Sequence, residues 1–141
     1  MGGGSIMLIE DDPDDEALTL RMFDKCGVKN RVVVVRDGAE ALEYLFGEAN
    51  GMVSARHDLP TVVLLDLKLP KVNGIDLLRR IRGSQRTKAL PVVILTSSKQ
   101  ERDLVNGYEL GTNSCVRKPV DFGEFSKAIG QLGLHWLLLD H

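Results

Sequence analysis

Cysteine is scarce in this chain: among 141 residues only Cys26 and Cys115 occur. They form neither a CxxC pair nor any metal-ligand spacing, which excludes a disulfide framework and fits a reduced, cytoplasmic setting. Long apolar runs are missing too. No stretch approaches the roughly 20 residues a membrane-spanning helix needs, and no signal-peptide pattern opens the chain. Neither sign of charge dominates, with 18 Lys and Arg against 20 Asp and Glu and a net charge of -2. That balance argues against a nucleic-acid binder working through a broad basic face. Internal repeats and low-complexity linkers are absent, apart from an opening MGGGS (residues 1–5) that reads as a linker remnant. What is present, 43% hydrophobic and 27% charged residues, describes one globular domain able to bury a sizeable core.

Five short apolar runs rich in β-branched residues alternate with five helical patterns. The strand candidates are SIMLIE (5–10), RVVVVR (31–36), TVVLLD (61–66), PVVILT (91–96) and SCVRK (114–118), and the helix candidates lie near 13–26, 38–47, 74–82, 98–110 and 121–132. Asp12 before Pro13 is a favoured N-cap and first-turn pair, with Asp15 placed like a capping-box acid. Ser98-x-x-Glu101 and Asp121-x-x-Glu124 repeat the capping pattern, and Gly83 and Gly111 stand where helices should stop. Leu77, Leu78 and Ile81, like Leu104 and Tyr108, recur at helical spacing and should face the sheet. The strands are continuously apolar rather than alternating, so both faces of the sheet are covered. This predicts a doubly wound α/β fold, a parallel sheet with helices on both sides. The longest loop is 47–60.

Ligands of open α/β sheets bind at the carboxyl ends of the strands, where strand order reverses. Those ends carry Glu10 and Asp11 on the first strand, Asp66 on the third, Thr96 on the fourth and Lys118 on the fifth. In the five-stranded order 2-1-3-4-5 the first and third strands are neighbours about 4.8 Å apart, so three carboxylates converge. Such a cluster is the hard-oxygen environment of a divalent cation such as Mg2+, which takes one or two carboxylates and fills its other positions with water and phosphate oxygens. Asp12, Asp14, Asp15 and Glu16 need no such role, because a helix's first turn favours negative charge. A lysine and a threonine hydroxyl beside carboxylate and Mg2+ make a phosphoryl site. Asp66 is the candidate nucleophile, forming an aspartyl phosphate whose oxygens Mg2+ and Lys118 neutralise, with Thr96 donating to the product.

The motifs LIEDD, VVLLDLKLPKVNG, VVILTSS and VRKP, in this order and spacing, resemble the response-regulator receiver domains of two-component signalling. The likeness runs from residue 6 to 132, leaving 133–141 as an apolar tail. It implies a flavodoxin-like fold, Mg2+ as cofactor, Asp66 as phosphoacceptor, and metal ligation by Glu10, Asp11, Asp66 and the Lys68 carbonyl. It also implies switch and charge-neutralising roles for Thr96 and Lys118, and a cis peptide before Pro119. RKPVDFGEF and LGLHWLLLD resemble single-domain receivers paired with bacterial phytochrome kinases. Such a protein is a phosphoacceptor, not an enzyme with an outside substrate. His57, His135 and His141 lie outside helical patterns, so the donor is expected to be a partner's phosphohistidine, on a sensor kinase or a phosphotransfer protein. No output domain follows in this sequence. The expected output is therefore a change in contacts with a downstream protein, with no direct nucleic-acid or membrane partner. The tail 134–140 either folds back on the last helix or contacts a second copy along the last two helices.

Two other readings fit less well. An aspartyl-phosphate phosphatase would carry an acid two residues after its nucleophile, where Lys68 stands, and a flavin binder would need a Ser/Thr/Gly-rich loop in place of EDDPDDE. One position departs from the receiver pattern. Cys115 occupies the place of an aromatic switch residue, so the phosphorylation signal is expected to travel through the loop after Thr96 and helix 98–110. Lys68 and Ser98 flank the site. Lys68→Ala is expected to change the lifetime of the phosphorylated state while leaving Mg2+ affinity nearly as it was. Decay of the isolated phosphoprotein, followed by mass, reads this, and an unchanged decay rate rules the idea out.

Overall fold

The computed structural model describes residues 4–47, 59–68, 74–97 and 113–134. Within these, five strands and four helices follow one another as β1 (Ile6–Ile9), α1 (Pro13–Lys25), β2 (Val32–Val35), α2 (Gly38–Phe46), β3 (Val62–Asp66), α3 (Gly74–Gly83), β4 (Val92–Thr96), β5 (Asn113–Arg117) and α4 (Phe122–Gln131). The sheet is wholly parallel in the order β2-β1-β3-β4-β5. The predicted doubly wound architecture and strand order therefore stand. The candidate helix 98–110 with Ser98 and Gly111, most of loop 47–60, and the tail beyond Leu134 lie outside the described residues. No helix among the described residues is long and apolar enough to cross a membrane.

Alternation along each strand divides the core in two. Ile6, Leu8, Val62, Leu64, Val93 and Leu95 face α1 and α4, where Phe23 and Phe125 meet with ring centroids 5.1 Å apart. Met7, Ile9, Val63, Leu65, Val92 and Ile94 face α2 and α3, against Leu45, Leu77, Leu78 and Ile81. Each such side chain, removed from water, contributes about 1.5–3 kcal/mol. That is why these strands read as unbroken apolar runs.

Aspartates start α1, α2 and α4. Asp12 accepts from the N–H groups of Asp14 (2.8 Å) and Asp15 (3.3 Å), Asp37 from Glu40 (2.8 Å) and Asp121 from Glu124 (3.1 Å). One expectation needs correction. Asp15 does not complete a capping box, because the Asp12 N–H points to Glu10 Oε2 at 3.4 Å. Gly83 does end α3, as expected, but not through the left-handed backbone of a glycine cap; instead the buried Thr87 hydroxyl donates to the Ile81 carbonyl at 2.6 Å and caps the end. A left-handed glycine does close α2, at Gly47 (φ 63°). Gly4 and Ser5, set aside from the sequence as linker, each accept a hydrogen bond, from the Asn30 side chain (2.9 Å) and the Thr61 N–H (2.8 Å).

Gly74 brings α3 against the strand end that bears Asp66. A Cβ there would lie 2.6 Å from Leu67 Cα, 2.7 Å from the Leu67 carbonyl oxygen and 2.9 Å from that of Asp66. These are backbone atoms and cannot swing aside. Gly74→Ala is therefore expected to destabilise the fold by about 1–3 kcal/mol in urea unfolding. Gly83→Ala, with nothing within 4 Å of the new methyl group, is expected to stabilise it by about 0.4–1 kcal/mol. Equal effects at the two positions would contradict the close-approach argument.

Candidate functional site

The carboxyl ends of β1, β3, β4 and β5 meet at one edge of the sheet. Glu10 follows β1 directly; its N–H still pairs with the Val35 carbonyl (3.0 Å), which keeps it in line with the strand. Its side chain is fully buried, while Asp11, one residue on, is exposed. Asp66 ends β3 and is almost fully buried, its Oδ1 accepting the Lys68 N–H at 2.9 Å. Oxygens of Glu10, Asp11 and Asp66 all lie within 4.8 Å of one another. Thr96, buried at the end of β4, stands one residue beyond Leu95, the register partner of Asp66. The Thr96 carbonyl accepts the Lys118 N–H at 2.8 Å, and the Lys118–Pro119 peptide is cis. The predicted Glu10, Asp11, Asp66, Thr96 and Lys118 are thus brought to one edge. The exposed Lys68 lies beside them, its N–H turned to Asp66.

The Lys118 ammonium lies at the centre of the acids. Nζ is 2.9 Å from Asp66 Oδ2, 2.9 Å from Asp15 Oδ2, and 3.0 and 3.2 Å from Glu10 Oε1 and Oε2. Asp15 is the site residue that sequence reasoning missed, having placed it as a first-turn acid serving the helix dipole. A signal was present. Asp15, Thr19, Met22 and Phe23 fall at i, i+4, i+7 and i+8, and the last three are buried, so Asp15 sits on the sheet-facing stripe of α1. Its neighbour Glu16 is engaged too, pairing with Arg36 at 3.0 Å.

Burial raises the Glu10 carboxyl to about 8 from its ordinary 4.5, with the adjacent Asp66 carboxylate adding to the effect and Lys118 offsetting part of it. For Lys118, burial works downward, but hydrogen bonds to Asp15, Asp66 and Glu10 outweigh it and hold the ammonium above its ordinary value. The donor set suits a hard divalent cation. Glu10 Oε1 is buried without a hydrogen bond despite the ammonium 3.0 Å away. The oxygens of three carboxylates, within 4.8 Å of one another, come near the span of about 4 Å between opposite ligands of Mg2+.

Cys115 is half-buried against the core face shared with α2 and α3. It borders a surface cavity of about 270 Å3 with Glu124, Lys127, Ala128 and Gln131.

Comparison with known proteins agrees with this geometry. The family model of the response regulator receiver domain matches residues 6–130. The probable methanogenesis regulatory protein FilR2 of Methanothrix harundinacea is 39% identical over 132 residues, covering 94% of this chain and 83% of its own. Among solved structures, the bacteriophytochrome response regulator AtBRR superposes with a TM-score of 0.87 at 49% identity, covering both chains completely. The phosphorylated cyanobacterial phytochrome response regulator RcpA gives 0.73 at 32% identity, covering 99% of this chain and 96% of its own. The receiver domain of the sensor histidine kinase PA1611 from Pseudomonas aeruginosa, solved with magnesium in its active-site cleft, gives 0.72 at 26% identity, covering 94% and 99%.

The Glu10 shift has a consequence for stability. An acid raised on folding holds its proton in the native chain after the unfolded chain has released it. Its contribution is fully present below 4.5 and is lost as pH rises through about 8. Lys118, raised above 10.5, adds no slope inside that window. In EDTA, wild-type stability is therefore expected to fall as pH rises across the window, and Glu10→Gln to remove most of the fall. Urea unfolding at a series of pH values measures it; an unchanged slope in the variant would contradict the assignment.

Proposed function

The chain belongs to the response regulator receiver domain family, and on that premise we propose that it is the phosphoacceptor of a two-component relay, with Asp66 taking a phosphoryl group from a partner's phosphohistidine. The observation that carries the reading is the placement of Asp66 at a buried strand end, between the Lys68 N–H on Oδ1 and the Lys118 ammonium on Oδ2. In the transfer, an Asp66 oxygen forms a bond to phosphorus as the donor's nitrogen–phosphorus bond breaks, and the electron pair leaves with the imidazole. Buried surroundings exclude water from the nucleophile, which protects the acyl phosphate. Lys118 follows the charge that develops on the phosphoryl oxygens. The Thr96 hydroxyl, at the next strand end, donates to the product.

Glu10, Asp11, Asp66 and the Lys68 carbonyl would hold Mg2+, which when bound supplies positive charge to the phosphoryl oxygens. The protein acts on itself, catalysing only its own phosphorylation and dephosphorylation. Likeness to AtBRR supports a histidine kinase of the bacteriophytochrome kind as donor, directly or through a phosphotransfer protein. The output is a phosphorylation-dependent contact with a downstream protein in the cytoplasm.

Intact-mass spectrometry after incubation with acetyl phosphate and Mg2+ tests this. Wild type is expected to gain one phosphoryl group, and Asp66→Asn or an EDTA-treated sample none. Should wild type gain nothing, beryllofluoride binding decides between rapid hydrolysis and an inert site; a protein that neither gains the group nor binds beryllofluoride refutes the reading.

A further inference from the structure

Asp15 makes a contact that its place in the helix does not require. At the third position of α1 an acid ordinarily turns back to the N-cap N–H. Here that N–H is directed at Glu10 Oε2, and the Asp15 N–H is itself capped by Asp12 Oδ1. The side chain is left to reach over the sheet edge to Lys118 Nζ at 2.9 Å, a partner 103 positions away in sequence. Its side chain is 30% exposed against 13% for Lys118, so the pair is partly shielded from water and screened less than a surface ion pair.

The three carboxylates around Lys118 differ in what else they are placed to do. Glu10 and Asp66 belong with Asp11 to the cluster suited to a divalent cation, and Asp66 is also the proposed nucleophile. Asp15 is outside that cluster and has no part in the bond changes. Once Glu10 and Asp66 face a cation and a phosphoryl group, Asp15 is the carboxylate left to hold the ammonium. Lys118 has a flexible four-carbon stem, and fixing such a side chain costs rotamer entropy. An ammonium already held 2.9 Å from Asp66 meets the phosphoryl oxygens without that cost at the moment of reaction.

We propose that Asp15 is a positioning residue: through its ion pair it holds the Lys118 ammonium beside Asp66, ready to donate to the phosphoryl group. This rests on the phosphoacceptor reading of the site. It separates Asp15 from Asp12, Asp14 and Glu16, whose carboxylates serve as N-cap, lie exposed in the first turn, and pair with Arg36.

The test is a double-mutant cycle of Asp15→Asn and Lys118→Met, read in two ways. With the metal chelated by EDTA, Asp15→Asn should lower the urea midpoint in the wild-type background and leave it nearly unchanged in the Lys118→Met background. With Mg2+ and acetyl phosphate both raised until the rate no longer increases, Asp15→Asn should slow phosphorylation about tenfold when Lys118 is present. It should have almost no effect when Lys118 is absent. Asp15→Glu, which keeps the charge, should recover part of the rate. Equal losses in both backgrounds would mean a merely structural helix residue and overturn the proposal, as would an Asp15→Asn variant phosphorylated as fast as wild type. Wild type that is never phosphorylated and binds no beryllofluoride would overturn the phosphoacceptor reading and this inference with it. A phosphorylated wild type with an indifferent Asp15 would overturn this inference alone.

Discussion

One ammonium among carboxylates holds the functional edge together. Lys118 reaches from the end of β5 to the ends of β1 and β3 and to the first turn of α1, with every Nζ contact at 2.9–3.2 Å. Glu10, Asp11, Asp15 and Asp66 bring four potential negative charges to this edge, and Lys118 balances one of them. Burial makes the excess expensive, because a charge withdrawn from water must find a partner or a proton. At Glu10, burial and the neighbouring Asp66 carboxylate outweigh the Lys118 ammonium and raise the carboxyl to about 8. The strain at this edge is electrostatic, and it is relieved by added positive charge. A divalent cation held by Glu10, Asp11 and Asp66 would supply that charge.

The rest of the fold fixes where these groups stand. Burial on both faces of the sheet sets the strand register, and register puts Asp66 opposite Leu95 with Thr96 one step further out. Gly74 lets the start of α3 press against the backbone of Asp66 and Leu67. The Thr96 carbonyl holds the backbone of Lys118 at 2.8 Å, which ties the ends of β4 and β5 together. Asp12 caps α1 and orients Asp15 and Glu16, which tie that helix to Lys118 and Arg36. Each local feature has an ordinary physical cause, and together they place polar groups at the strand ends of an apolar sheet.

Much of this was legible in the sequence, for definite reasons. Apolar runs such as VVLLD and VVILT announce strands covered on both sides, and polar residues at their ends announce the site. What stayed hidden depends on contacts between distant segments. Asp15 looked like a helix-dipole acid because local chemistry alone supplied a sufficient role, and its attachment to Lys118 arises only when α1 docks on the sheet. The end of α3 at Gly83 was readable, but not that the glycine there would lack a left-handed backbone. The actual cap, Thr87, follows an irregular turn whose buried hydroxyl has no sequence pattern. The role of Gly74 was equally invisible, since a close approach of two backbones leaves no periodicity.

The most direct measurement of the central claim is the unfolding free energy of Lys118→Met beside wild type, in EDTA and in excess Mg2+. If Lys118 and the metal ion answer the same need for positive charge, the variant loses about 3 kcal/mol without metal. It then gains more from Mg2+ than wild type does, because it binds the ion without competition from the ammonium. A variant as stable as wild type in EDTA, or one that Mg2+ stabilises no more than wild type, would contradict the account.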